Sequence, residues 1–200
     1  MKNIIYNIWS TFLVWFSKIK IMSFYCFPIL VSDNDVNYID GCDITRIMQI
    51  VQPGDVLIRG YDEYLDGKFI PDELGYSHAG LYVGDNQLIH ACSPCVQYVS
   101  LIDFCTCDRI MVLRPIYGMD KAIEFAKSRV GVPYDFNYDS DKGRLYCFEL
   151  IANAYSCVEF ETYSVSKFFG LVKRTCYLAK SLYESEFFAN VYEKNRKNDK

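Results

Sequence analysis

Ser77-His78-Ala79-Gly80-Leu81-Tyr82-Val83 and Gln87-Leu88-Ile89-His90-Ala91 flank Gly84-Asp85-Asn86, and these fifteen positions hold both histidines of a 200-residue chain. Alternating apolar runs around a Gly-Asp-Asn turn signal read as a β-hairpin. Its register follows from the requirement that apolar side chains share a face. Placing Leu81 opposite Ile89 and Val83 opposite Gln87 puts Ala79 and Ala91 with them. The other face then carries His78, Gly80, Tyr82, Leu88 and His90. A slip of one residue would put the two imidazoles on opposite faces, so the pattern predicts a three-residue loop, Gly84-Asp85-Asn86, and both histidines on one side.

Working outward, Ile44, Ile47, Met48 and Val51 have helical spacing over residues 43–51, and Pro53-Gly54 ends that helix. A strand is expected at 55–59, a polar loop at 60–75, and further strands at 96–101 and 109–114. Residues 119–130 read as an amphipathic helix through Ala122, Phe125, Ala126 and Val130, stopped by Gly131 and Pro133. Helical spacing returns at 146–157 through Leu150, Ile151, Ala154 and Tyr155, and a last helix is expected over 171–192. A helix, then antiparallel strands, then helices is the order of an α+β domain. The expected organisation is an apolar N-terminal helical appendage over 1–40, one domain over 41–192 and a disordered tail over 193–200.

The chain carries 21 basic and 25 acidic residues for a formal net charge of −4, and no basic stripe interleaves with aromatics, so no nucleic-acid partner is expected. Nine cysteines fit neither a paired disulfide framework nor a zinc pattern, which points to a reducing compartment. Cys92-x2-Cys95 with Cys105-x-Cys107 is the one local cluster, but the second pair is too tight for a zinc knuckle, so buried free thiols are expected, with no metal and no cofactor. Residues 3–17 are uncharged and rich in Ile, Trp and Phe, yet fall short of the ~20 residues that span a bilayer, and no small-residue cleavage site follows. An amphipathic segment remains that either packs on the domain or touches a membrane through residues 1–31. The expectation is a cytoplasmic protein with peripheral membrane association as the alternative.

Two histidines on one hairpin face suit a base and the polar residue that orients it. Among the nine cysteines, Cys147 opens a helix, whose free N–H groups and dipole stabilise a thiolate and can hold an oxyanion. Cys147 is therefore the best-placed nucleophile, while the hairpin geometry by itself leaves open which histidine is the base. Glu149, two positions on, should point away from the site. Asp55, just after a turn, reads as structural.

Pro53-Gly54-Asp55-Val56-Leu57-Ile58, the hairpin itself, Gly131-Val132-Pro133-Tyr134-Asp135-Phe136 and Tyr146-Cys147-Phe148-Glu149-Leu150-Ile151, ending at Tyr155, together resemble the circularly permuted NlpC-type papain-like cysteine hydrolases. That group includes YiiX-like bacterial and poxviral relatives and the lecithin:retinol acyltransferase branch. Papain-like enzymes place Cys before His, whereas the permuted group places His before Cys, as here. The resemblance spans residues 50–160 and implies a papain-like α+β fold with an antiparallel sheet packed on helices. It carries the nucleophile to Cys147, the base to His78 and the third polar residue to His90. Many bacterial members have Glu in place of His90, and many have Ser where this chain has Phe148. Tyr134 and Tyr82 are candidate substrate-binding residues. The implied chemistry is cleavage or transfer of an acyl group, amide or ester, through a thioester on Cys147, with a peptide or acyl-lipid substrate. A catalytically inactive papain-like binding module is the competing expectation.

Overall fold

The computed structural model describes residues 2–17, 19–24, 27–32, 38–62, 72–138, 143–167 and 172–195. Its centre is a six-stranded antiparallel sheet in the order β10-β7-β3-β4-β5-β6, built from β3 (Val56–Gly60), β4 (His78–Gly84), β5 (Gln87–Ala91), β6 (Val96–Ser100), β7 (Arg109–Pro115) and β10 (Phe188–Asn195). Alternation along the strands sends side chains to two apolar layers. On one side Val56, Ile58, Ala79, Leu81, Ile89 and Leu113 pack with α4 (Met119–Ser128) and α5 (Cys147–Ala154). On the other, Leu57, Tyr82, Leu88, Ile110 and Val112 pack with α2 (Gly41–Ile50) and α3 (Leu101–Cys105). The fold is thus the α+β, antiparallel-sheet class that the sequence implies.

Local chemistry explains the element boundaries. Asp40 caps α2, accepting from the backbone N–H groups of Cys42 and Asp43, while the Asp43 carboxylate accepts from the Asp40 N–H as a capping box. Gly131, at φ +91, ends the turn after α4 as expected. Asp55 is buried and holds Arg114 through two hydrogen bonds of 2.9 and 2.7 Å, also accepting from the Gln52 N–H at 2.8 Å. That clamp ties the start of β3 to β7, the structural role read for Asp55.

Three expectations change. The run over 171–192 is not one helix: it divides into β9 (Val172–Cys176), α6 (Ala179–Tyr183) and β10. β7 has a nearly continuous buried face and an edge whose backbone groups need partners, and β10 supplies them, so tertiary pairing overrides the helical spacing. Phe187 and Phe188 anchor this turn of chain against Tyr155 and Phe160. β10 also reaches Asn195, so the strand enters the segment read as a tail, of which 196–200 lie outside the described residues. Finally, the N-terminal appendage is not wholly helical: α1 (Lys2–Ser17) is followed by an antiparallel hairpin of β1 (Ile19–Phe24) and β2 (Phe27–Ser32). A second two-stranded unit pairs β8 (Tyr163–Lys167) with β9. Of the polar loop over 60–75, residues 63–71 lie outside the described residues.

Candidate active site

In the β4–β5 hairpin Leu81 faces Ile89 and Gly80 faces His90, as the apolar pattern requires. The loop differs from the expectation: Gly84, not Val83, meets Gln87, so the turn is the two-residue Asp85-Asn86, with a bulge at Val83. Both turn residues have positive φ, 51° and 56°, as a type I′ turn requires, and Asp and Asn adopt that conformation more readily than most. The bulge restores the register that an even turn would have slipped. His78 and His90 consequently share a face, with His78 Nε2 2.8 Å from His90 Nδ1.

That face is the α3 layer. Phe104 of α3 lies under both imidazoles, its ring centre 5.7 Å from that of His78 and 6.0 Å from that of His90. Gly80, between the histidines, makes room for it: a Cβ there would stand 2.9 Å from Phe104 Cε2 and 3.2 Å from Leu88 Cδ2. Arg59 pairs with His78 across β3–β4, stacks its guanidinium 4.4 Å over the Phe104 ring, and donates to the Asp103 and Phe104 carbonyls at 3.2 and 2.9 Å. Burial, and then the Arg59 charge, hold His90 neutral with its pKa lowered to about 4. The same two causes push His78 well below the usual histidine range, with His90 adding to them.

Cys147 is the first residue of α5, on the other layer. Tyr146 at the N-cap supplies no side-chain acceptor, and the backbone amides of Ala79, Phe148 and Cys147, Ala79 foremost, favour the thiolate. The Ala79 N–H is open to the thiol because the β4–β5 ladder stops at Gly80–His90. Free backbone amides at a helix start are donors that an oxyanion can use. The sequence reading expects these donors to lower the thiol pKa. Burial outweighs them: Cys147 is 3% exposed and its pKa is pushed up to about 12. No hydrogen bond joins Cys147 Sγ to either imidazole among the described residues. The structure therefore brings His78 and His90 together and places Cys147 beside the backbone next to His78, with thiol and imidazoles all neutral.

The two tyrosines divide. Tyr134 neighbours Cys147 electrostatically, and its hydroxyl lies 3.4 Å from that of Tyr138. α1 reaches this side of the site: Tyr6 donates from its hydroxyl to the Tyr134 carbonyl at 2.8 Å, packs on Phe136, and lies under the Arg144 guanidinium. Tyr82 is instead a core residue of the α3 layer, its hydroxyl accepting from the Asn86 N–H at 3.2 Å, because an even position in β4 points away from α5. Glu149 is buried with the rest of the first turn of α5.

Residues 50–194 match the family described as permuted papain-like amidase enzyme, YaeF/YiiX, C92 family. The chain belongs to that family. The crystal structure titled metalloprotein yiiX from Escherichia coli O157:H7 shares its fold, with a TM-score of 0.60 at 19% identity over 72% of this chain and 97% of that one. No curated protein matches the chain. Among the described residues no three His, Cys, Asp or Glu side chains group as a metal site, so no step here is derived through a metal. A permuted papain-like amidase fold and the cysteine-hydrolase class at the level of the family are therefore established for this chain.

Four side chains around the histidines escaped the sequence reading. Arg59 and Phe104 shape and charge the α3 face; Arg59 was legible as the residue paired with His78, whereas α3 itself is too short for periodicity to reveal. Cys92 lies 3.4 Å from His90 Nε2, and Gln97, paired with His90 across β5–β6, donates from Nε2 to Cys92 Sγ at 2.8 Å. Extending the hairpin register by one strand would have found Gln97. Of the four cysteines expected as buried thiols, Cys105 and Cys107 are core residues, whereas Cys92 and Cys95 are half-buried.

Proposed function

We propose that this chain cleaves an acyl bond, amide or ester, through a thioester on Cys147, with His78 as general base and acid and His90 as the residue that orients it. The observation that carries the reading is a buried thiol at a helix start, packed against the strand whose first residue, His78, is hydrogen-bonded to His90. With thiol and imidazole neutral at rest, the proton leaves Cys147 for His78 as the sulfur attacks the carbonyl carbon. The developing oxyanion takes the N–H groups that the sulfur gives up, and His78 returns the proton to the leaving group. Water or an acceptor then resolves the thioester.

The substrate we propose is a lipid-linked or peptide acyl group presented near a membrane. α1 carries no charge over 3–17, exposes Ile8, Phe12 and Trp15, and contacts the chain beside Tyr134. No helix among the described residues is long and apolar enough to cross a membrane, so contact through α1 is peripheral. Intact-mass trapping with a panel of peptide and lipid p-nitrophenyl esters tests the chemistry: an acyl adduct mapped to Cys147 and absent in Cys147→Ala supports it, and no adduct at Cys147 refutes it. The absence of a Cys147–His78 hydrogen bond favours a second reading, an inactive papain-like binding module. The same trapping experiment separates the two.

A further inference from the structure

His90 stands beside His78 in the place of an orienting residue, and an imidazole there sets a problem that a carboxylate would not. A carboxylate accepts a hydrogen bond from the base in any state of ionisation that matters. A neutral imidazole accepts on only one of its nitrogens, and which one depends on where its single hydrogen sits. Burial and the Arg59 charge keep His90 neutral. Its tautomer therefore decides whether it can orient His78 at all.

The hydrogen-bond chain sets that choice. His78 uses Nε2 toward His90, so Nδ1 is the nitrogen left to take a proton. Nδ1 does so only as a lone pair, which requires the hydrogen of His78 on Nε2 and a bare Nδ1 on His90. His90 then carries its own hydrogen on Nε2, 3.4 Å from Cys92 Sγ. The sulfur also receives the Gln97 amide at 2.8 Å, which holds Cys92 in place as the end of the chain. Running the chain the other way would make the thiol the first donor, and S–H is a weaker donor than either imidazole N–H. It would also place a hydrogen on His78 Nδ1 and abolish the base.

We propose that Cys92, held by Gln97, is a positioning residue: it accepts the Nε2–H of His90 and so fixes both imidazoles in the tautomer that leaves His78 Nδ1 as the base. The proposal rests on His78 being the base for Cys147, and its test is separable from that reading because the tautomers are read on the resting protein. With two histidines in the chain, the full-length protein labelled with ¹⁵N-histidine gives two ring systems in a long-range ¹H–¹⁵N correlation at pH 7. Both should carry the hydrogen on Nε2. In Cys92→Ala the His90 ring should shift toward a mixture of tautomers, and Cys92→Ser, whose hydroxyl oxygen accepts in the same place, should restore the Nε2–H form. The acylation rate of Cys147 with p-nitrophenyl hexanoate should fall about fivefold in Cys92→Ala, the worth of one hydrogen bond, at unchanged half-saturating ester concentration. The serine variant should lie between it and the wild type. A hydrogen on His78 Nδ1 in the wild type, or unchanged tautomers in a folded Cys92→Ala, would overturn the proposal. No acylation of Cys147 in the wild type would instead sink the hydrolase reading and leave the tautomer result standing.

Discussion

Alkylation of Cys147 by iodoacetamide tests whether the resting site is neutral or already an ion pair. With a pKa near 12, the thiolate fraction at pH 7.5 is about 10^-4.5, against roughly a tenth for an ordinary thiol of pKa ~8.5, a deficit of about 3.5 log units. The more basic thiolate is the better nucleophile, and a Brønsted slope of about 0.45 recovers ~1.6 of those units. Cys147 should thus react about a hundredfold more slowly than a free thiol before any loss from burial. Its rate should climb about tenfold per pH unit from 7 to 10, where a free thiol levels off. Peptide mapping after timed quenching gives the rate for each cysteine. Acyl esters should show the opposite contrast: they use the converging N–H groups and the imidazole in a way a haloamide does not. Alkylation of Cys147 at pH 7 as fast as a free thiol would mean a preformed thiolate–imidazolium pair and refute the neutral resting state.

His78→Ala and Cys147→Ala should each lower acylation by about 10²- to 10⁴-fold, whereas His90→Glu, which still accepts from His78 Nε2–H, should retain more activity than His90→Ala; equal losses with unchanged circular dichroism would remove His90 as the acceptor. Gly80→Ala should lower stability by about 1–3 kcal/mol in urea titration, because its Cβ enters the space of Phe104 Cε2, and an unchanged midpoint would contradict the packing. Stability should also fall with acid. The unfolded His90 protonates below about pH 6.5 while the folded one stays neutral until about 4. The loss is about 1.4 kcal/mol per pH unit within that window, about 2 kcal/mol by pH 5. His78 acts in the same direction, and His90→Asn should flatten the slope.

The hairpin was legible because both of its constraints are local: alternation fixes the faces, and the Asp-Asn turn fixes the fold-back. Only the bulge at Val83 was hidden, since its effect on register is the same as that of a three-residue loop. Cys147 at a helix start was legible from helical spacing alone. Its ionisation was not, because the cost of burial depends on what covers the thiol, and that cover comes from segments far away in sequence. The region over 171–192 failed for a related reason: its helical spacing is real, but the open edge of β7, more than seventy residues before its partner β10, decides its conformation. Cys92 looked like one more core thiol because only the pairing of β6 with β5, whose register was not worked out, brings Gln97 back beside it.

The separation of His78 from Cys147 follows from the same alternation. α5 lies on the Ala79 and Leu81 face, so a side chain at 78 must leave the sheet on the other side. Beyond Gly80–His90 β4 and β5 pair no further, so the sheet opens beside His78 and Ala79. Cys147 is fixed by a buried helix and by backbone donors. His78 is the first residue of its strand, paired with Arg59 on one flank and with no strand on the other. In the proposed mechanism the proton must therefore pass between Cys147 and His78 at that end of the sheet.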